Sequence, residues 1–177
     1  MLIKDLVACG ALRFGDFTLT SGMKSRYYVD IKKASCIPEI LEKITDNFAK
    51  KGFECDKVAG MELGAVSLIT AYSLRENVPF VIIRKGGREH GTKKRIEGDI
   101  KKGERILILE DVITSGGSVI EAARLINEAG GNIVGILTVV DREEGGTDKV
   151  SSIAHFHALV TARDLLKEAD KGTSKER

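Results

Sequence analysis

The centre of the chain contains the stretch Ile106-Leu107-Ile108-Leu109-Glu110-Asp111-Val112-Ile113-Thr114-Ser115-Gly116-Gly117-Ser118. Its first four residues are apolar, and they have the length and branching of a buried parallel strand. The carboxylates of Glu110 and Asp111 follow at the carboxyl end of that strand, where they can accept hydrogen bonds from two adjacent ribose hydroxyls. The sequence therefore predicts a parallel strand that ends in a sugar-binding acid pair.

The turn after the acid pair is rich in glycine and hydroxyl groups. Gly116 and Gly117 allow the backbone to approach a ligand closely, so several N–H groups can converge on one anion. The hydroxyls of Thr114, Ser115 and Ser118 add further donors at the same place. The turn is therefore predicted to bind a phosphate group.

A helix is predicted directly after this turn, from Ser118 to Ala129. Ser118 and Glu121 have the spacing of a capping box, and apolar residues follow at helical intervals. The free N–H groups and the dipole at a helix N-terminus favour a phosphate in the preceding turn. A simple strand-to-helix turn with a solvated acid pair is the alternative, but the uninterrupted order of strand, acids, glycines and helix favours a sugar-phosphate site.

The glycine spacing excludes two common nucleotide-binding motifs. No two of the 19 glycines are two positions apart, so a G-x-G-x-x-G dinucleotide fingerprint cannot occur. Gly86 and Gly91 have the separation found in a P-loop, but Thr92-Lys93 follows instead of Lys-Thr. Residues 94–102 also lack the amphipathic pattern of the helix that a P-loop requires.

The composition indicates one soluble domain. The chain has 177 residues, of which 42% are hydrophobic, and this is enough for a single buried core. Its formal net charge of +2 is too small for a general binder of nucleic acids or membranes. Cys9, Cys36 and Cys55 are widely spaced and form no C-x-x-C pair, which favours reduced thiols. The longest nearly apolar run, Ile133 to Val140, is too short to span a membrane, so we expect a cytoplasmic protein.

Strand-like and helix-like segments alternate through the middle of the chain, which is typical of an α/β fold with a parallel sheet flanked by helices. The predicted strands are 57–61, 79–84, 105–110 and 133–141. Pro38 marks the start of a helix that ends before Gly52, with an apolar face of Ile40, Leu41, Ile44 and Phe48. Two further helices are predicted at 64–75 and 118–129.

The first 35 residues do not continue this alternation. The turn Thr20-Ser21-Gly22 and the strand-like segment Tyr27 to Ile31 predict a small N-terminal hood at one edge of the sheet. His155 to Val160 is predicted as a late strand that returns to that edge. We therefore expect one domain at 1–177, with a hood at 1–35, an α/β core at 36–170 and a frayed polar tail at 171–177.

Polar segments follow each of the predicted strands. In a parallel sheet, ligands bind beyond the carboxyl ends of the strands. These segments are therefore expected to open onto one crevice; they are Glu62-Leu63-Gly64, Arg84-Lys85, 110–118 and Asp141-Arg142.

A basic loop is predicted between Arg84 and Gly98. It holds six Lys or Arg residues in positions 84–95, several glycines and almost no apolar side chain, so we expect it to be mobile. Cations that arrive on closure can neutralise a departing pyrophosphate and exclude water. A solvated run of charges is the alternative for the loop taken alone, and the neighbouring sugar-phosphate site favours the catalytic interpretation.

The acid pair and the Thr-Ser-Gly-Gly-Ser turn together resemble the ribose-phosphate signature of type I phosphoribosyltransferases. The resemblance implies that Glu110 and Asp111 bind the ribose of 5-phosphoribosyl 1-pyrophosphate, and that Asp111 takes part in catalysis. It also implies that residues 112–118 complete this site, with the 5-phosphate on residues 114–118.

The basic loop is similar to the loop R-K-x-x-K-x-H-G of the orotate phosphoribosyltransferases in that family. By this match Arg84, Lys85, Arg88 and His90 contact the pyrophosphate, and Arg88 and His90 are catalytic. Arg88 stands where these enzymes usually have a lysine, and a guanidinium is a flat fork that does not deprotonate. Lys93 is the alternative source of that lysine's function.

Three other segments resemble the orotate enzymes and differ from purine-specific relatives, so the match covers nearly the whole chain. They are Phe17 to Asp30, Asp141 to Gly146 and His157 to Leu166. One departure is visible within the first of them. Thr20 stands where several members of the family have a lysine, so a cation is missing from that position.

The same resemblance implies an orotate pocket, most of it in the hood. Its residues are Thr114, Arg142, Ser21, Gly22 and Tyr28. Because orotate is an anionic pyrimidine, an arginine fork suits its carboxylate and carbonyl groups. The alternative for the arginine is a surface ion pair with Glu143 or Glu144.

The function implied by the resemblance is transfer of the phosphoribosyl group to N1 of anionic orotate in pyrimidine nucleotide synthesis, through an oxocarbenium-like transition state near the acid pair. Mg²⁺ is implied as the cofactor, held mainly by the substrate and with Glu110 as its candidate protein ligand. A homodimer is implied in which the cation at position 88 reaches the neighbouring site. A purine phosphoribosyltransferase and a regulatory nucleic-acid binder are the alternatives, although the chain lacks basic segments interleaved with aromatic residues.

Overall fold

A six-stranded sheet lies at the centre of the computed structural model, which describes residues 1–18, 22, 24–86 and 94–173. A separate two-stranded sheet precedes it in the chain. The strands are β1 (Leu12–Thr18), β2 (Lys24–Val29), β3 (Lys57–Met61), β4 (Phe80–Ile83), β5 (Ile96–Glu97), β6 (Arg105–Ile113), β7 (Asn132–Asp141) and β8 (Phe156–Thr161). The helices are α1 (Leu2–Ala8), α2 (Ile31–Ser35), α3 (Pro38–Ala49), α4 (Val66–Glu76), α5 (Gly117–Glu128), α6 (Gly146–Ser151) and α7 (Ala162–Thr173).

The large sheet has the strand order β5-β4-β3-β6-β7-β8, and only β5 runs antiparallel to its neighbour. The predicted α/β fold with a parallel sheet flanked by helices is therefore confirmed. Strand β6 is longer than predicted, because it continues past Glu110 to Ile113. Val112 still pairs with Val140, and Ile113 with Asp141. The acid pair consequently lies within the paired part of the central strand.

Side chains of β6 alternate between two layers of the core. Ile106 and Ile108 pack in the layer that contains α5, whereas Leu107 and Leu109 pack in the layer that contains α3 and α4. All four are buried, and each fully buried aliphatic side chain contributes about 1.5–3 kcal/mol. The strand that carries the acid pair is thus held from both faces.

The three predicted helices all form within two residues of their predicted ends, as α3, α4 and α5. The predicted cap of α5 is wrong. Its N-cap residue is Gly116, with φ at +80°, and no side chain donates or accepts a capping hydrogen bond. Ser118 is already inside the helix, and the Glu121 carboxylate accepts from Arg95 and Arg124 instead. Such charge-assisted bonds are stronger than a bond to a neutral backbone N–H.

The predicted N-terminal hood contains the antiparallel sheet of β1 and β2. The predicted strand from Tyr27 to Ile31 ends earlier, at Val29, because Asp30 caps helix α2 by accepting from the Lys33 backbone N–H at 3.3 Å. Helices α1 and α2 were not predicted. Helix α1 packs against α3 and α7, so this part of the first 35 residues joins the core of the large sheet.

The predicted late strand forms as β8, at the edge of the sheet beside β7. Helix α7 follows it and runs to Thr173, which takes helical structure into the segment expected to be a frayed tail. Helices α6 and α7 were not predicted. None of the helices in the described ranges is both long enough and apolar enough to cross a lipid bilayer.

Candidate active site

A cleft of about 1000 Å³ opens at the carboxyl ends of β3, β4, β6 and β7. The polar segments that follow the strands therefore open onto one cleft, as the strand-end rule predicts. The predicted site residues that line the cleft are Tyr28, Lys85, Glu110, Asp111, Val112, Ile113, Thr114, Ser115, Gly116, Gly117, Ser118 and Arg142. Arg84 and Gly22 are described but do not line it. The predicted residues Ser21, Arg88 and His90 lie outside the described residues.

The acid pair is held by the backbone of its own strand. The Asp111 N–H donates to Glu110 Oε1 at 3.0 Å, and the Val112 N–H donates to Asp111 Oδ1 at 2.8 Å. Glu110 is only 5% exposed. Burial raises its pKa well above the usual value, the neighbouring Asp111 charge adds to this effect, and Lys85 opposes it. The two acids therefore differ in environment, with a buried Glu110 beside a more accessible Asp111.

Two residues distant in sequence fix the Asp111 carboxylate. Gly64 lies directly against it, so that a Cβ atom at position 64 would overlap both carboxylate oxygens. Lys32 Nζ lies 3.9 Å from Asp111 Oδ2 and 3.8 Å from Asp30 Oδ1. Burial disfavours the Lys32 charge, but Asp111, Tyr28 and Asp30 outweigh it and raise the pKa of Lys32. The Lys32 cation therefore lies next to the Asp111 carboxylate in the cleft.

The phosphate turn is shaped by contact with a second glycine segment. Gly116 adopts a positive φ that favours glycine, and its backbone lies close to Gly146. A Cβ atom on Gly146 would overlap the carbonyl oxygen of Thr114, so only glycine fits there. Gly117 and Ser118 are exposed at the start of α5. The N–H groups of this first helical turn are therefore available to an anion.

The basic loop begins and ends on a stem of ion pairs. Arg84 and Arg95 bond each other's backbone, through Arg84 N–H to Arg95 O at 2.9 Å and Arg95 Nε to Arg84 O at 3.0 Å. The Arg84 guanidinium lies 3.0 Å from Glu97 and 3.7 Å from Glu62. Arg95 donates to Glu121 Oε1 at 3.0 Å. Arg124, followed by Arg95, lowers the pKa of Glu121 to about 2.

Arg142 is almost fully buried in the wall of the cleft, at 4% exposure. Its Nε donates to Glu144 Oε1 at 2.9 Å, and its Nη2 donates to Ser25 Oγ at 3.0 Å. The guanidinium also lies 4.4 Å from the centroid of the Tyr27 ring. The alternative prediction of a pair with Glu144 is thus confirmed, but its predicted location on the surface is wrong.

Sequence reasoning gave no role to Lys32, Gly64 and Arg95, although all three line the cleft. Gly64 lies in a segment that was expected to open onto the crevice, and Arg95 lies in the basic loop. The sequence therefore indicated that these two residues lie near the site. It did not indicate Lys32, because its partner Asp111 is distant in sequence and only the fold brings them together.

The residues that could hold a metal ion are the two carboxylates of the acid pair. Within the described ranges, no group of three or more His, Cys, Asp or Glu side chains is arranged to bind a metal. Mg²⁺ prefers oxygen ligands and is usually held by one or two carboxylates together with substrate phosphates. Glu110 and Asp111 fit that pattern as a partial ligand set.

Comparison with known protein families gives a direct match. Residues 31–162 match the model of the phosphoribosyl transferase domain. The chain belongs to this family. The matched range contains the acid pair, the phosphate turn, the stem of the basic loop and Arg142, so the family assignment and the cleft concern the same part of the molecule.

Members of the family with similar sequences cover nearly the whole chain. The orotate phosphoribosyltransferase of Methanosarcina mazei is 50% identical over 169 residues, which are 94% of this chain and 90% of that protein. The orotate phosphoribosyltransferase of Pyrococcus abyssi is 47% identical over 180 residues, covering 99% and 98%. The crystal structure of the orotate phosphoribosyltransferase from Aeropyrum pernix has a TM-score of 0.85 at 27% identity, covering 95% and 97%.

Proposed function

We propose that the protein transfers the 5-phosphoribosyl group from 5-phosphoribosyl 1-pyrophosphate to orotate, giving orotidine 5-phosphate and pyrophosphate for pyrimidine nucleotide synthesis. The observation that carries this proposal is one cleft that joins the acid pair, the phosphate turn and the buried Arg142. The relatives from Methanosarcina mazei and Pyrococcus abyssi, which are orotate phosphoribosyltransferases, support the choice of base.

The acid pair and the phosphate turn bind the sugar phosphate. The carboxylates of Glu110 and Asp111 accept hydrogen bonds from the ribose hydroxyls, since ionised carboxylates are acceptors only. The hydroxyls of Thr114, Ser115 and Ser118 and the N–H groups at the start of α5 hold the 5-phosphate. As the bond from C1 to the pyrophosphate oxygen breaks, positive charge develops on the ribose, and the Asp111 carboxylate stabilises it.

Cations beside the acid pair and at the start of the basic loop receive the pyrophosphate in this proposal. Lys85 lines the cleft beside the acid pair, and Arg84 anchors the start of the basic loop. Arg88 and His90, which the family resemblance assigns to catalysis, complete this group of cations in the proposal. Their charges stabilise the leaving pyrophosphate, while the new bond forms between C1 and N1 of anionic orotate. No covalent enzyme intermediate is needed.

Orotate binds between the hood and the end of β7 in this proposal. The Arg142 guanidinium supplies donors for the anionic base, and Tyr28 and Thr114 line the same cleft. Ser21 and Gly22 complete the pocket by family resemblance. Because Arg142 is buried and bonded to Glu144 and Ser25, its orientation is set before the base arrives.

Mg²⁺ is the proposed cofactor, and the acid pair suits it as a source of carboxylate oxygens. Glu110 and Asp111 would contribute these oxygens, while the substrate supplies the remaining ligands. When bound, the ion neutralises charge on the pyrophosphate. The three cysteines are free thiols, which suits the proposed location in the reducing cytoplasm.

A homodimer with shared active sites is part of the same proposal. Arg88 would reach from one subunit to the pyrophosphate bound in its partner. Mixing Arg88→Ala with Asp111→Asn, each nearly inactive alone, should then restore about a quarter of wild-type activity, because half of the dimers are mixed and each has one intact site. Verified subunit exchange without recovery would contradict sharing and would leave Arg88 acting within its own chain.

The activity is tested by measuring pyrophosphate release with a panel of bases. We expect release with 5-phosphoribosyl 1-pyrophosphate and orotate, dependence on Mg²⁺, and at most weak release with adenine or hypoxanthine. Preference for a purine would contradict the base assignment while keeping the family. Absence of release with every base, together with a gel shift on nucleic acid, would favour a regulatory protein.

A further inference from the structure

We propose that His155 and His157 form a surface site for a divalent transition-metal ion such as Ni²⁺, Cu²⁺ or Zn²⁺. His155 directly precedes β8 and His157 is its second residue, at the edge of the large sheet. Their Nε2 atoms share a hydrogen bond of 2.8 Å, in which one ring donates its N–H and the other accepts, and the ring centroids are 4.5 Å apart. When the donor ring carries its proton on Nδ1 instead, both Nε2 lone pairs become available to one metal ion.

The backbone of the sheet fixes both histidines. The Ile136 N–H donates to the carbonyl oxygen of His155 at 2.9 Å, and His157 pairs in register with Leu137 of β7. Residues two apart on a strand project to the same face of the sheet. Little backbone freedom is therefore lost when the two rings act together, which favours chelation over two separate contacts.

A half-buried aromatic side chain supports the imidazole rings. The centroid of the Phe53 ring lies 5.9 Å from that of His155 and 6.3 Å from that of His157, in edge orientations. Phe53 itself packs on the backbone of β7, because a Cβ atom on Gly135 would overlap its ring. The Phe53 ring is thus held between the backbone of β7 and both imidazole rings.

The chemistry of the pair selects the class of metal. Imidazole nitrogen suits Zn²⁺, Cu²⁺ and Ni²⁺, whereas Mg²⁺ prefers oxygen. With metal–nitrogen bonds of about 2.0–2.1 Å, two neighbouring ligands lie roughly 3 Å apart, so a small separation of the rings admits the ion. The described residues offer no cluster of three or more ligands, and water would fill the other positions. Neither histidine lines the cleft, so the site is independent of the proposed enzyme activity.

Calorimetric titration of the untagged protein with Ni²⁺ tests the site. Wild type should bind one ion per chain, and His155→Asn and His157→Asn should each weaken binding at least about 10-fold, since even outer partners of a metal ligand contribute that much. His90→Asn is the matched control, because His90 is the third of the three histidines in the chain and should leave Ni²⁺ binding unchanged. Unchanged melting temperatures of the variants will show that they are folded.

Electron paramagnetic resonance with Cu²⁺ gives a second measurement. The wild-type spectrum should show coupling to two imidazole nitrogens, and each single variant should show coupling to one. Equal Ni²⁺ affinity in wild type and in the His155 and His157 variants would overturn the proposal. So would loss of binding in His90→Asn alone.

Discussion

The two sides of the cleft are built in different ways. On the acid and phosphate side, residues 110–118 are contiguous, and both carboxylates accept hydrogen bonds from the next residue of the same strand. The cation side comprises Arg84 and Arg95 at the loop stem together with Arg142, and each of these guanidinium groups bonds a partner that is distant in sequence, although Arg142 also bonds the neighbouring Glu144. Arg84 and Glu97 are 13 residues apart, Arg95 and Glu121 are 26 apart, and Arg142 and Ser25 are 117 apart.

This difference separates groups that are already free to bind a ligand from groups whose protein contacts a ligand must displace. The phosphate turn already presents N–H groups to the cleft, so a phosphate can bind there without disrupting a protein contact. Arg84 and Arg95 instead rest on glutamates, and an anionic ligand must compete with those carboxylates for them. In the proposed function, the acid side would therefore set where the sugar lies, and the cation side would respond to the arrival of negative charge.

The largest expected effect is on the acid side, at Asp111. Asp111→Asn removes a charge that faces the developing positive ribose, and we expect kcat/KM to fall about 10²–10³-fold while the fold is kept. The measurement is steady-state pyrophosphate release, with circular dichroism to check folding. Asp46→Asn, on helix α3 away from the cleft, is the matched control and should keep wild-type activity. Near wild-type turnover in a folded Asp111→Asn would refute this role.

Gly64→Ala tests whether the position of Asp111 depends on contacts outside its strand. The added Cβ atom would overlap the Asp111 carboxylate and displace it, and a shift of about 1 Å in a reacting group lowers activity about 100-fold. Kinetics of Gly64→Ala should be compared with those of Gly172→Ala, where an added Cβ atom meets open space. If both variants retained activity, local contacts alone would suffice to place Asp111.

Arg142 tests the cation side. Arg142→Ala should weaken orotate binding by about 1.5–3 kcal/mol, or roughly 10- to 150-fold, and should affect 5-phosphoribosyl 1-pyrophosphate much less. Calorimetry with each ligand measures the difference. Glu144→Gln is a useful companion, because it keeps the arginine but weakens its preset orientation, and it should have a smaller effect on orotate. Equal weakening of both ligands by Arg142→Ala would mean that Arg142 supports the fold or the sugar site.

The same contrast explains which features the sequence could predict. The strand, acid pair, phosphate turn and helix of residues 106–128 are encoded by neighbouring residues, and their arrangement was predicted apart from the cap of α5. The predicted cap is wrong because Arg124, one turn further along the helix, and Arg95, which is remote in sequence, both bind the Glu121 carboxylate. Lys32 beside Asp111 and Arg142 beside Ser25 are consequences of the fold, and no local pattern indicates them.

Helix α7 is a different kind of omission, because its signal was present in the sequence. Ala162, Leu165, Leu166 and Ala169 have the spacing of one helical face, and the structure packs that face into the core. The polar and charged residues that follow the helix obscure this signal. The end of β6 shows the opposite case. The polar residues at positions 110 and 111 indicated a strand end, but backbone pairing with β7 continues the strand to Ile113.

The smallest expected effect is on the pH dependence of stability at two glutamates, Glu110 of the acid pair and Glu121, which bonds Arg95. The effect has opposite signs at the two positions. Burial raises the pKa of Glu110, so the unfolded chain loses this proton at lower pH than the folded protein does. Stability therefore falls as pH rises from about 4.5 toward the raised pKa. Glu110→Gln removes this ionisation and should raise the melting temperature at pH 7, while lowering activity.

Glu121 on the cation side should behave in the reverse manner. Its pKa is lowered to about 2, chiefly by Arg124, so its ionised form stabilises the fold above pH 4.5 and loses this effect as pH falls toward 2. Glu121→Gln should therefore lower the melting temperature at pH 7, and its difference from wild type should shrink as the pH is reduced. Thermal melts of both variants between pH 3 and 8 test the two signs together, with Glu42→Gln on an exposed face of α3 as the control. A Glu110→Gln variant that is less stable than wild type at neutral pH would mean that the surroundings of the buried carboxylate stabilise its ionised form.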